Sequence, residues 1–388
     1  MASLLLPCAG GRVERYRTGD PTRFPDVPAR AFNRVAFAAA HVVADPLADI
    51  DPWLGVAVDW ERTIAFRRHL WRLGFGVAEA MDTAQRGMGL DWTASLELIR
   101  RTLDVAKTVP GAVVASGAGT DHLSLTETIS IDQVIRAYEE QCAAIEGLGG
   151  RLILMASRAL VVAARSPDDY AKVYDRILGQ VREPAIVHWL GDMFDPALAG
   201  YWGRADTDAA MDVCLAILRD HAAKVDGIKI SLLDKSKEIA MRRRLPKGVR
   251  MYTGDDFDFA ELIEGDAKGH SDALLGIFDA IAPAASAALV RLAEGDVAGF
   301  RSILAPCVPL SRHIFRAPTR FYKTGVVFLA YLNGLQDHFV MVGGQESARS
   351  ALHLAQLFRL ADAAGLLADP ERAVERCARI MAAHGVAE

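Results

Sequence analysis

"VDGIKIS", residues 225–231, is the stretch on which the fold turns. Val225, Ile228 and Ile230 are β-branched and favour an extended strand, whose side chains point to opposite faces in turn. Gly227, Lys229 and Ser231 therefore share one face, and Ile228 and Ile230 the other. Lysine is a poor strand former and is rarely buried without a partner or a purpose. If the isoleucines meet a layer of helices, Lys229 is turned into whatever the sheet encloses.

Seven further apolar runs read the same way. They are "RVAFAAA" (34–40), "FGVAEA" (75–80), "GAVVAS" (111–116), "RLILMA" (151–156), "PAIVHW" (184–189), "VRMYT" (249–253) and "ALLGIF" (273–278). Continuous rather than alternating hydrophobicity suits strands covered on both faces, as in a parallel sheet. Between the runs lie amphipathic helices. Leu96, Ile99, Leu103 and Ala106 share one helical face, as do Val134, Tyr138, Cys142 and Ile145. Ser130 with Gln133 reads as a capping box, and Ser166 as an N-cap followed by Pro167 at the first helical position. Eight strands alternating with helices over about 250 residues are what a (β/α)8 TIM barrel requires. An open doubly wound sheet would be expected to show G-x-G-x-x-G after its first strand, and "AFAAAHVVADP" has none. The expected organisation is an N-terminal arm or hairpin (1–33), the barrel (34–282) and a C-terminal helical extension (283–388).

The chain has 388 residues and a net charge of −5, which gives no reason to expect nucleic acid or an anionic membrane as partner. No apolar run reaches the roughly 18 residues of a membrane helix, and "MASLLLPCAGG" makes a poor signal peptide. The five cysteines are widely spread and show no C-x-x-C pair, so a disulfide framework is not expected and a reducing cytoplasm fits.

In such a barrel, catalytic groups stand at the C-terminal ends of the strands and in the loops that follow. Those places hold His41, Glu79, Asp82, Thr83, Ser116, Thr120, Asp121, His122, Arg158, His188, Lys229, Asp255, Asp256 and Asp279. Lys229 inside a barrel would be desolvated, which lowers its pKa and supplies the neutral amine of Schiff-base chemistry. The structural alternative is a buried ion pair with Asp255 or Glu79. His188, as a neutral imidazole, suits a proton shuttle; otherwise it is an inward histidine bonded to Asp192 or to backbone. Glu79, Asp82, Thr83, Ser116, Thr120, Asp121, Arg158, Asp255 and Asp256 are candidates for holding a polyhydroxylated or acidic substrate. A divalent-metal barrel enzyme is the alternative, with ligands drawn from His41, Glu79, Asp121, His122, His188 and Asp255, although no pair has a recognised ligand spacing.

Three blocks give the chain a family resemblance. "VDGIKIS", "MYTGDDFDFAELIEGDAKGHSDALLGIFDAIAP" (251–283) and "VDWERTIAFRRHLWRLGFGVAEAM" (58–81) are similar to segments of the dihydrodipicolinate synthase and N-acetylneuraminate lyase superfamily of class I aldolases. The resemblance carries the family's Schiff-base lysine to Lys229. It implies a lyase, aldolase or dehydratase acting on an oxo acid or keto-sugar derivative, without a cofactor, in a homodimer or homotetramer. Two departures stand out. The family's Gly-Thr-Thr-Gly-Glu loop is replaced by "AEAMDTAQRG" (78–87), and its strand-five tyrosine by His188.

Overall fold

In the computed structural model, which describes residues 2–125 and 128–386, the eight strand candidates form one closed parallel barrel. A hairpin precedes it, with β1 (Ser3–Pro7) antiparallel to β2 (Val13–Arg17). The barrel strands are β3 (Ala36–Ala39), β4 (Gly76–Glu79), β5 (Val114–Ala118), β6 (Arg151–Leu154), β7 (Ala185–Leu190), β8 (Val225–Ser231), β9 (Arg250–Thr253) and β10 (Asp272–Leu275). They pair in sequence order, and β10 closes on β3. With helices alternating between them, this is a (β/α)8 TIM barrel followed by a helical C-terminal region. The eighth strand ends earlier than its apolar run. Leu275 is its last residue, and Asp279 lies in the short helix Ile277–Ala280.

The chain gathers into two compact units. Arg34–Ala40 and Phe75–Gly276, which hold all eight barrel strands, form one; Met1–Asn33, His41–Gly74 and Ile277–Glu388 form the other. In the barrel unit the interior is a cluster that includes Phe37, Ala78, Ala115, Ile153, Ile186, Tyr252 and Leu274, one from nearly every strand. Strand alternation dictates this: the in-between residues, such as Ile228 and Ile230, are buried on the other face, where parallel strands meet their helices. At the N-terminal rim, Arg250 and Tyr252 both bond Asp226, and the Asp272 carboxylate accepts from the Val35 amide at 2.7 Å. The helix starts follow the sequence. Ser130 and Gln133 form a capping box, and Ser166 forms one with Asp169, ahead of Pro167.

In the other unit, the helix Tyr322–Leu332 is buried at every residue, which is why "GVVFLAYLNG" is apolar all round without being a membrane span. Among the described residues, no helix is long and apolar enough to cross a membrane. Tyr16 of the hairpin donates to Asp362 at 2.7 Å, and Arg359 donates to Glu14 at 2.8 Å. All five cysteines are free thiols.

Candidate active site

Lys229 faces the barrel interior. Its register partners are His188 on β7 and Tyr252 on β9, and Tyr252 belongs to the interior cluster. Parallel register partners share a face, so all three side chains point inward. Two glycines make the room. A Cβ on Gly227 would lie 2.6 Å from the Tyr252 ring, and one on Gly254 would lie 2.8 Å from Lys229 Cε and 2.3 Å from Ser231 Oγ. The lysine stem thus lies against bare backbone in the "GDD" turn. Sequence reading noticed that turn for its carboxylates and missed this use of its glycine.

Lys229 is 7% exposed and His188 1%. Burial lowers the Lys229 pKa, opposed by the carboxylates of Asp256 and Asp82. Burial, followed by the nearby Lys229 charge, holds His188 well below the ordinary histidine value, so its imidazole is neutral. His188 Nε2 lies 3.2 Å from Ser231 Oγ, which stands one layer above Lys229 on the same face. The expected partner Asp192 is not what holds the ring. The depressed amine, the neutral imidazole and the hydroxyl stand together as groups able to exchange protons.

The structural alternative of an ion pair finds its carboxylates occupied elsewhere. Glu79 Oε2 accepts from Thr102 Oγ1 at 2.7 Å and Oε1 from the Ala80 amide at 2.9 Å. Asp255 Oδ1 accepts from the amides of Phe257 and Asp258 at 2.8 and 3.0 Å and so makes the turn after β9. Burial raises the pKa of Asp255, and its Oδ2 is buried without a hydrogen-bond partner. Asp256, the neighbouring carboxylate, acts on Lys229 through its charge, as does Asp82.

A cleft of about 90 Å³ opens beside His188, large enough for several waters or a small metabolite. Of the expected substrate residues, Asp82, Thr120, Asp121 and Arg158 line it together with His188. Glu79 and Ser116 do not belong with them. They are register partners adjacent to inward Ala78 and Ala115, so alternation turns them to the helix layer, where Glu79 meets Thr102 of the helix Trp92–Ala106. Thr83 is buried in the turn Asp82–Ala84.

Sequence reading passed over three residues that shape the cleft: Arg86, Gln141 and Asp195. Arg86 is buried; its Nε and one terminal nitrogen grip Asp121 at 3.0 and 2.7 Å, and it also donates to the Gly117 carbonyl and to Gln141. Burial acts against the Asp121 carboxylate, but Arg86 and Gln141 hold its pKa below the ordinary value. Gln141 reaches in from the helix Ile131–Gly147, accepts from the Gly119 amide at 2.7 Å and donates to His122 Nδ1 at 2.7 Å. Asp195 accepts from Arg158 Nε. No local motif marks these residues, because each matters through a partner 20 to 55 positions away.

The six residues considered as metal ligands are not brought together. Among the described residues, no three His, Cys, Asp or Glu side chains are grouped to hold a metal. His122 is occupied by Gln141 and lies 3.3 Å from Glu140, and Glu79 by Thr102. His41 lies in the other unit, where its Nδ1 is 2.8 Å from Asp279.

The profile of a family described as "Protein of unknown function (DUF993)" matches residues 4–386. No curated protein sequence matches the chain. Among solved structures, the fold is similar to a prophage protein of the dihydrodipicolinic acid synthase family from E. coli K12, solved in complex with pyruvate. That pair has 14% identity and a TM-score of 0.66, covering 87% of this chain and 100% of the other. It is also similar to dihydrodipicolinate synthase from Aquifex aeolicus, at 12% identity and TM-score 0.63, covering 86% and 99%. The corresponding enzyme from Oceanobacillus iheyensis gives 15% identity and TM-score 0.60, covering 84% and 96%. At such identities the likeness is one of fold.

Proposed function

The chain belongs to the DUF993 family, and for this member we propose a Schiff-base-forming lyase, aldolase or dehydratase that acts through Lys229 on an oxo acid or keto-sugar derivative. The observation that carries the reading is the setting of the amine. Lys229 is buried inside a barrel, its stem lies on Gly254, and neutral His188 is its register neighbour. One neighbour in fold was solved with pyruvate, a carbonyl compound, which supports the same substrate class.

In the proposed reaction the neutral amine attacks the substrate carbonyl carbon. With one nitrogen-bound hydrogen and one proton taken up from solvent, the carbonyl oxygen leaves as water, and a protonated imine remains. Loss of a proton at the adjacent carbon, or cleavage of a carbon–carbon bond there, leaves an electron pair that the iminium accepts as an enamine. His188 takes or returns the proton; being neutral, it has a lone pair to offer at neutral pH. The Ser231 hydroxyl, 3.2 Å from Nε2, fixes the ring and can relay that proton.

Borohydride reduction in the presence of a panel of oxo acids and keto-sugars tests this. A mass increment equal to substrate minus water plus two hydrogens is expected on Lys229 and is lost in Lys229→Ala. Turnover of a panel member with no trapped adduct would refute the proposal.

A further inference from the structure

One wall of the cleft beside His188 carries hydrogen-bond donors. Arg158 is fixed by Nε to Asp195, and among the described residues its two terminal nitrogens have no hydrogen bond to protein. Gly87 (φ +72°) faces this guanidinium: a Cβ there would lie 3.3 Å from a terminal nitrogen, so glycine leaves the fork room at the cleft. Thr120, 4% exposed, stands on the same cleft with its Oγ1 2.6 Å from Ser157 Oγ. Ser157 accepts from the Leu160 amide at 2.9 Å, and either hydroxyl can donate to the other; with Ser157 as donor, the Thr120 hydrogen is left for the cleft. The placement is rigid: the Ser157 amide donates to Tyr201 Oη at 3.2 Å, and Tyr201 Oη lies 3.0 Å from Tyr174 Oη.

Of the three carboxylates on the cleft, Asp82 acts on the Lys229 charge and the other two are engaged with cations and amides of the protein. Both Asp195 oxygens accept, one from Arg158 and one from the Ala197 amide at 3.1 Å. Both Asp121 oxygens accept from Arg86 and Gln141. At the free guanidinium nitrogens themselves only an acceptor is served, and a group with acceptor oxygens alone, a carboxylate, fits their fork. Resting on the Schiff-base reading, we propose that Arg158 and Thr120 bind a carboxylate of the substrate remote from the carbonyl that Lys229 attacks. Lys229 itself does not line this cleft, whereas His188 does, so the acid lies beyond the imidazole from the amine. Arg158 follows the fourth barrel strand and Lys229 sits on the sixth, and two strand steps are roughly 10 Å. The substrate class is therefore an oxo or keto acid whose carboxylate stands several carbons from the reacting carbonyl.

Two measurements test the subsite separately from the amine. Glutarate and the neutral 1,5-pentanediol are titrated by calorimetry into wild type, Lys229→Met, Arg158→Gln and Thr120→Val. Glutarate is expected to bind wild type and Lys229→Met alike, to weaken at least tenfold in Arg158→Gln and several-fold in Thr120→Val, and to outcompete the diol. No glutarate binding to wild type, or equal binding to wild type and both subsite variants, overturns the proposal. Borohydride trapping of 5-oxopentanoate against pentanal then judges the amine. Trapping of neither compound in wild type sinks the Schiff-base reading while the glutarate result still decides the subsite. With trapping intact, the half-saturating concentration of the acid should rise in Arg158→Gln and that of the aldehyde should not; an equal rise in both also overturns the proposal.

Discussion

Gly254→Ala adds one methyl group and tests whether the lysine needs bare backbone beneath it. The new Cβ would lie 2.3 Å from Ser231 Oγ, 2.6 Å from the Ile230 carbonyl oxygen and 2.8 Å from Lys229 Cε. Ordinary contacts begin near 3.4 Å, and the carbonyl belongs to a barrel strand that cannot retreat alone. Overpacking of this kind costs about 2 kcal/mol, or roughly 4–8 °C of melting temperature for a unit of this size. The larger effect falls on geometry. Both movable neighbours are site groups, so the methyl displaces the amine and the hydroxyl that bonds His188, and trapping should fall about tenfold or more. Gly179→Ala is the control: it lies in the helix Pro167–Gln180 with nothing within 4 Å of its Cβ. It should gain about 0.5–1 kcal/mol. The assay is a thermal melt paired with borohydride trapping at fixed carbonyl concentration. A Gly254→Ala protein that melts and traps like wild type would refute the steric argument and, with it, the placement of the lysine stem.

Burial depresses the folded pKa of Lys229, so folding is penalised below the unfolded value of about 10.4 and the penalty grows as pH falls to the folded value. The stability of Lys229→Met relative to wild type should therefore be greater at pH 7 than at pH 10.5 in urea titrations; a constant difference contradicts the depressed pKa. The His188 pKa is also depressed, so wild type should lose stability relative to His188→Gln as pH falls below about 6.5, where only the unfolded imidazole takes a proton. Parallel stability curves for the two proteins between pH 7 and 5 would count against a neutral buried imidazole. Arg86→Ala strips the buried guanidinium from Asp121 and should cost about 3 kcal/mol in denaturant unfolding, whereas a change under about 0.5 kcal/mol would mark the pair as dispensable. Thr102→Val should cost about 1 kcal/mol through Glu79 and leave Lys229 trapping at the wild-type level; reduced trapping would return Glu79 to the site.

What was legible in the sequence was whatever a local period encodes. Eight apolar runs gave eight strands, and alternation along "VDGIKIS" turned Lys229 inward without knowledge of any neighbour. The same rule, applied to "FGVAEA" and "GAVVAS", would have turned Glu79 and Ser116 outward, because alanines occupy the inward positions beside them. Small inward residues leave the phase of a strand unmarked, and a carboxylate near a strand end then looks like a site residue. The cleft was less legible for a different reason. Arg86 gains its meaning from Asp121 and Gln141, and Arg158 from Asp195, through contacts that appear only once neighbouring loops are stacked around the rim.

Asp82 and Asp256 act on Lys229 in two opposite senses. In the resting site they oppose burial and pull Lys229 toward its charged form, which by itself works against an amine nucleophile. Burial is the stronger effect and the amine stays depressed. On the proposed pathway the charge then reverses its meaning: once water has left, the nitrogen is a protonated imine, and it must keep that positive charge to act as an electron sink. The same carboxylates are already in place to stabilise that cation, with no reorganisation at the moment it forms. His188, kept neutral partly by Lys229, is meanwhile discouraged from taking a proton beside the new charge. It therefore holds a proton only briefly and passes it on, as a relay between substrate carbon and Ser231 must. An acid site at Arg158 places the substrate's negative charge on the far side of the imidazole, where it does not compete for the iminium.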